Sequence, residues 1–269
     1  MPRFDAMHEL AAAYAKDGVV CLRGVLDANW VARARAGLER QNASPSPLSQ
    51  IFPARSGKGA FISHLHGWRR DKDIRAVALQ SPLASAAAAI MMETELRLFY
   101  DQSFTKEPGA NAPTPWHHDL TFWPVTGGKL ASAWIALDPV DADSGAVHFL
   151  AGSHLSPARY RPTQPDTPAA RELVNMDLPQ APNGWMAPPE VCISFELEPG
   201  DVLLFDACTL HGARGNRNPD RARRALTIRY ASKEVRWVTG AYALAFEPPV
   251  TLAEGALLAD PDFPLAFPR

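Results

Sequence analysis

The sequence predicts a mainly β protein, an antiparallel sandwich or barrel with helices packed on one face. Three observations carry this reading. From about residue 95, apolar runs of four to six residues recur between Gly, Pro, Asp and Asn turns. The chain before that point reads as helices. And 269 residues, 46% hydrophobic and 21% charged, suffice to bury a large core without cross-links.

In order, 6–16 (AMHELAAAYAK) is rich in strong helix formers, and Asp17-Gly18 stops it. VVCL at 19–22 is a short β-branched run and reads as a strand. Asp27 is placed to cap a helix over 28–40, with Val31, Ala34 and Leu38 on one face. A polar loop at 42–49 leads to one long helix expected over 73–92. Its apolar run LASAAAAIMM is too short to cross a bilayer. The strands expected next are LRLFY (96–100), SAWIAL (132–137), AVHFL (146–150), DVLLF (201–205) and LTIRY (226–230). The Pro-rich stretch 157–189 is expected to be a lid or binding loop. No repeat or linker divides the chain. One domain over 1–269 is therefore expected, helical to about 94 and with its β core at about 95–250.

Composition excludes several classes. Net charge is −2, too balanced for a dedicated nucleic-acid binder. Cys21, Cys192 and Cys208 are odd in number and form no CxxC, which argues against a zinc site or a disulfide framework. The first ten residues lack the basic-then-apolar pattern of a secretory leader. The expectation is a cytoplasmic protein with no membrane partner. Oligomeric state is not legible.

The chemistry concentrates in two places. In Trp116-His117-His118-Asp119, an extended backbone sends residues i and i+2 to the same side. His117 and Asp119 then offer an imidazole and a carboxylate to one metal, while His118 points elsewhere. A second histidine from a distant strand would complete a facial two-histidine, one-carboxylate set with three open positions, which suits non-heme Fe(II). By itself the motif is weak, and a surface turn with a hydrogen-bonded histidine is the better reading of it. The second place is PGDVLLFDACTLHG (199–212) followed by RRALTIRY (223–230). In that last strand Arg223, Ala225 and Thr227 share one face, and Arg224, Leu226, Ile228 and Tyr230 the other. If the small-residue face lines a barrel interior, Arg223 can clamp a carboxylate bidentately. The arginines at 214, 217, 221, 224 and 229 read as a solvated loop or an anion patch.

TPWHHDLTFWP (114–124), SAWIALDPVDADSGAVHFLAGSH (132–154), PGDVLLFDACTLHGARGN (199–216) and RRALTIRY (223–230) together resemble the phytanoyl-CoA dioxygenase family. The resemblance runs in the family's order and roughly its spacing, from about residue 6 to 230. It implies a double-stranded β-helix (a cupin-like jelly roll) with the N-terminal helices on one sheet. It also implies an Fe(II)- and 2-oxoglutarate-dependent dioxygenase using O₂ on a small-molecule substrate. By position, His117, Asp119 and His211 would hold iron, and Arg223 the distal carboxylate of 2-oxoglutarate. Trp134 would lie beside that cosubstrate unless it is plain core, and Gln102 would face cosubstrate or substrate. The family's geometry also brings His64 and His66 near the active-site mouth, with surface placement as the alternative. Trp185, in the long 157–189 loop, is a further candidate for contact with substrate. His148 and His154 read as structural.

Three departures stand out. His118 replaces the family's usual Gln. Ala213 replaces a hydroxyl residue that often helps hold the cosubstrate. And the spacing from His211 to Arg223 is one residue longer than is usual in the family, which leaves Arg224 as an alternative clamp. The expected reaction is hydroxylation of an unactivated C–H with release of succinate and CO₂. Desaturation, cyclisation and epimerisation use the same site. A β-barrel metal sensor without turnover is the reading from another class. Because halogenating relatives lack the carboxylate ligand, Asp119 argues against halogenation.

Overall fold

The computed structural model describes residues 4–53, 58–163 and 173–268. Helix α1 spans Phe4–Asp17 and is followed by strand β1, Val19–Leu22. Helix α2, Ala28–Ala43, begins as expected: the Asp27 carboxylate accepts from the backbone N–H groups of Asn29 and Trp30. Strands β2 (Gln50–Phe52) and β3 (Phe61–Leu65) come next. The single helix expected over 73–92 is instead two, α3 (Lys72–Gln80) and α4 (Leu83–Met91). Pro82 is the reason. It has no N–H to continue the ladder and pushes Ser81 to extended geometry, ψ 169°.

The remaining strands are β4 (Leu96–Lys106), β5 (Thr114–His117), β6 (Val125–Thr126), β7 (Leu130–Ala136), β8 (Val147–Leu150), β9 (Cys192–Ser194), β10 (Val202–Asp206), β11 (His211–Ala213), β12 (Arg223–Ser232), β13 (Arg236–Trp237) and β14 (Leu265–Phe267). Eight strands form an antiparallel sheet in the order β1-β10-β7-β12-β4-β3-β2, with β14 also paired to β4. Four form a second sheet, β5-β11-β8-β9, and β13 pairs with β6. This is the jelly roll expected. Its boundaries differ from the expectation, because β1, β2 and β3 lie before residue 94 and β14 beyond 250. All four join the large sheet by pairing that only the fold specifies. Of the predicted 157–189 loop, 164–172 lie outside the described residues.

Alternation along β12 organises the layers. Leu226, Ile228 and Tyr230 face the helices and join the apolar layer that includes Leu38, Ile74, Val77 and Ile90. Burying each Leu or Ile fully contributes about 1.5–3 kcal/mol. Surface ion pairs such as Arg40–Asp71, whose arginine is 49% exposed, contribute about 0–1. The apolar face therefore holds the helices on the sheet. The opposite face of β12 looks toward the small sheet, across a core of Val147, Phe149, Leu203 and Phe205. Between the sheets the interior opens into a cavity of about 1070 Å³.

Candidate active site

His117 and His211 are direct cross-strand partners, one ending β5 and the other opening β11. Ninety-odd residues of chain separate them, and the antiparallel ladder places their rings 4.2 Å apart. Asp119 starts a 3-10 turn just beyond β5. The intervening His118 is extended (φ −120°, ψ 151°), so His117 and Asp119 share a side as the spacing predicts. His118 turns away, and its Nε2 accepts the Tyr160 N–H at 3.2 Å.

One donor atom each from His117, Asp119 and His211 lies within 4.8 Å of the others. Both histidines give Nδ1–H to a backbone carbonyl, His117 to Pro115 at 2.8 Å and His211 to Thr209 at 2.9 Å. That fixes the tautomer and leaves both Nε2 lone pairs facing inward. They lie 3.6 and 3.9 Å from Asp119 Oδ1. The other carboxylate oxygen, Oδ2, accepts the Ser132 hydroxyl at 2.7 Å. Burial alone would raise the Asp119 carboxyl; Arg229 and the two histidines hold it far below the usual carboxylate range. Burial, with His117 beside it, pushes His211 down to about 3. The set is thus an ionised carboxylate with inward-facing neutral imidazole. This fits a divalent iron ligand set.

The register of the large sheet arranges the rest in rows. Ser132 pairs Arg229, and Trp134 pairs Thr227, which in turn pairs Gln102. Arg223 pairs Lys106 at the far end. Ser132, Arg229 and Asp119 meet next to the two histidines. Trp134, Thr227 and Gln102 line the next row, and Arg223 lies beyond. All but Ser132 line the cavity. Arg223 is buried, its guanidinium 5.3 Å from the Trp134 ring, and its Nε has no hydrogen-bond partner. Burial lowers it to about 10, so it remains charged at neutral pH. The Thr227 hydroxyl is likewise buried without a partner. Arg224 is on the other face, tied to Asp138 at 2.8 Å and to Glu39. The extra residue in the His-to-Arg spacing is therefore absorbed before β12, and strand parity is kept. Gln102 donates its amide to Ser63 at 2.8 Å.

Three residues expected to touch substrate do not line this cavity. His64 lies on the far side of β3 from the cavity-lining Ser63 and Leu65, with its ring between Ser49 and Asn42. His66 is sealed against Tyr100 and Phe246, and its Nε2 bonds the Ala245 carbonyl at 2.8 Å. Trp185 packs behind the small sheet on Trp116 and His148, under the Arg214 guanidinium. The mouth is instead lined by Arg161, Thr163, Met176 and Gln180. Three lining or supporting groups were not singled out from sequence: Ser132, Thr227 and Arg229. Arg229, read as solvated, is 5% exposed and 3.6 Å from Asp119 Oδ2. The signal was available, since Arg229 continues the 223-225-227 face and Ser132 shares the parity of Trp134.

The profile of the phytanoyl-CoA dioxygenase family matches residues 14–225. The chain is 21% identical over 220 residues to ectoine dioxygenase of Stutzerimonas stutzeri (strain A1501), covering 78% of this chain and 72% of that one. It is 20% identical over 240 residues to the peroxisomal phytanoyl-CoA dioxygenase of Rattus norvegicus, covering 84% and 68%. Among solved structures it resembles the non-heme alpha ketoglutarate dependent epimerase SnoN from nogalamycin biosynthesis, with a TM-score of 0.77 and 27% identity over 98% of this chain and 97% of that one. SnoN in complex with Fe3+, alpha ketoglutarate and nogalamycin RO matches at 29% identity and the same TM-score, over 97% and 99%. With the ligand geometry above, these similarities place the chain in the phytanoyl-CoA dioxygenase family, as an Fe(II)- and 2-oxoglutarate-dependent dioxygenase.

Proposed function

We propose that this dioxygenase oxidises a C–H bond of a bulky, polycyclic natural-product-like molecule, by hydroxylation. The observation that carries the reading is the cavity. At about 1070 Å³ it is far larger than a five-carbon cosubstrate needs, and it is walled by Phe104, Tyr100, Phe122, Trp123 and Leu244. Drug-sized ligands occupy apolar pockets of roughly 300–1,000 Å³. The full-length similarity to SnoN, bound to nogalamycin RO, supports the same class. It also favours one second reading, stereochemical inversion at the same carbon position in place of hydroxylation.

His117, Asp119 and His211 would hold the iron, which when bound supplies O₂ activation coupled to conversion of 2-oxoglutarate into succinate and CO₂. The protein's part is positioning. Arg223 offers a buried guanidinium to the distal carboxylate, where bidentate pairing is strongest. The unpartnered Thr227 hydroxyl faces the same row and supplies the hydrogen bond that Ala213 cannot. From Arg223 to Thr227 is four residues, roughly 13 Å of strand. The arginine side chain reaching back leaves a span suited to a short dicarboxylate. Trp134 walls this channel and excludes water.

The test is an anaerobic absorbance titration of the metal-free protein with Fe(II) and then 2-oxoglutarate, with His211→Ala as control. A visible charge-transfer band in the wild type alone is expected. Succinate release is then screened with polycyclic and with small polar compounds. Turnover confined to the small compounds would overturn the substrate class.

A further inference from the structure

Among the described residues, Arg229 is the one cavity-lining cation that the proposed cosubstrate site does not use and that lies beside the ligand set. It is 95% buried by its 5% exposure, yet neither Nε nor Nη1 has a hydrogen-bond partner. Asp119 Oδ2, at 3.6 Å from Nε, is near enough for charge attraction and too far for a hydrogen bond. The guanidinium is fixed by rings, 4.4 Å from the centre of Tyr100 and 5.7 Å from that of Trp123. A buried, oriented donor set without an acceptor is costly to keep, and donors of this kind are found where a ligand supplies the acceptor.

Charge points the same way. Among the described lining residues, Arg161, Arg223 and Arg229 face one carboxylate, Asp119. Iron(II) and the 2-oxoglutarate dianion cancel each other, so loading leaves the positive excess in place. A cationic substrate would be repelled.

We propose that Arg229 anchors the substrate through an acidic oxygen carried on its aromatic framework, a phenolate or vinylogous acid, and so presents a neighbouring carbon to the iron. This rests on the polycyclic reading above. Tyr100 and Trp123 hold the guanidinium in one plane, and its free N–H groups accept only a substrate that brings an acceptor to that row. Arg229 is thus a specificity-determining contact, and the substrate binds as the anion, its proton having gone to solvent.

The experiment is calorimetric titration of the full chain, loaded anaerobically with Fe(II) and 2-oxoglutarate, using 2-hydroxyanthraquinone and its 2-methoxy counterpart above the phenol's pKa. The two probes share shape and differ in the acidic oxygen. The hydroxy probe is expected to bind at least tenfold tighter than the methoxy probe. Arg229→Gln should erase that preference with little change for the methoxy probe, and Arg229→Lys should keep part of it. Equal binding of both probes to the wild type, no binding of either, or a preference that survives Arg229→Gln would each overturn the proposal. So would loss of the preference in Arg161→Gln alone, which would place the anchor at the mouth. A role limited to balancing the Asp119 charge gives no probe preference. If Arg229→Gln does not fold, the Lys variant and the wild-type probe ratio still decide. The 2-oxoglutarate charge-transfer band recorded on the same samples separates the readings: its absence from the wild type refutes the dioxygenase site, while its presence without a preference refutes only the anchor.

Discussion

Replacing Ser132 by Ala removes one oxygen from the site and nothing else. The hydroxyl is fully buried and donates to Asp119 Oδ2 at 2.7 Å. Alanine fits the same space, so neither a clash nor a sizeable cavity follows. What is lost is a hydrogen bond to an ionised carboxylate, of the kind that contributes about 1.5–3 kcal/mol. In the metal-free protein the Asp119 carboxylate then keeps only longer contacts, Arg229 at 3.6 Å from Oδ2 and the two histidines at 3.6 and 3.9 Å from Oδ1. Unfolding stability should fall by about 1–3 kcal/mol. The carboxylate also loses the contact that aims Oδ1 at the two histidines. Outer partners of this type typically account for 10–100-fold in metal affinity. The assay is anaerobic Fe(II) titration of wild type and variant, with denaturant unfolding of both metal-free proteins alongside. Unchanged Fe(II) affinity would refute the claim that Ser132 orients the ligand. A fall in stability alone would show that the hydroxyl serves the fold and not the metal.

Other consequences follow from the same geometry. Arg223→Ala should weaken 2-oxoglutarate binding by at least tenfold, read by the charge-transfer titration, and leave Fe(II) affinity nearly unchanged; a parallel loss of iron would mean that Arg223 supports the fold. Burial holds His66 at about 4 against its ordinary 6.5, so the unfolded chain binds the proton first as pH falls. Its contribution is complete above 6.5 and is lost toward 4, about 2 kcal/mol between pH 7 and 5. Unfolding curves at those two pH values should show a smaller difference in His66→Gln than in wild type. Gly184→Ala would put a Cβ 2.5 Å from the Trp116 ring, directly behind the residue that precedes His117. It should lower the unfolding midpoint by the equivalent of roughly 1–3 kcal/mol, and an unchanged midpoint would mean the 184–186 turn moves freely.

Much of the β core was legible because alternation is a local property. The 223-225-227 parity placed Arg223 on the cavity side and Arg224 outside, where Asp138 holds it. Carried two residues further, the same parity would have exposed Arg229. Local chemistry also named the Asp27 cap and the strand at 19–22. It failed at Ser81-Pro82, where helical composition on both sides hid the break.

The sequence by itself determined which residue types can bind metal and which face of a strand each occupies, since backbone stereochemistry sets both. Its ordered motifs also carried the family resemblance, and with it the three candidate ligands, His117, Asp119 and His211, that the fold brings together. Only the tertiary structure decided which distant strands become neighbours. The β5–β11 ladder brings His211 to His117, and β7, β12 and β4 align Ser132 with Arg229 and Trp134 with Thr227 and Gln102. It also turned His64, His66 and Trp185 away from the cavity, onto packing that no local pattern records. Pairing between strands far apart in sequence depends on burial of the whole apolar surface at once, so no segment read alone contains it.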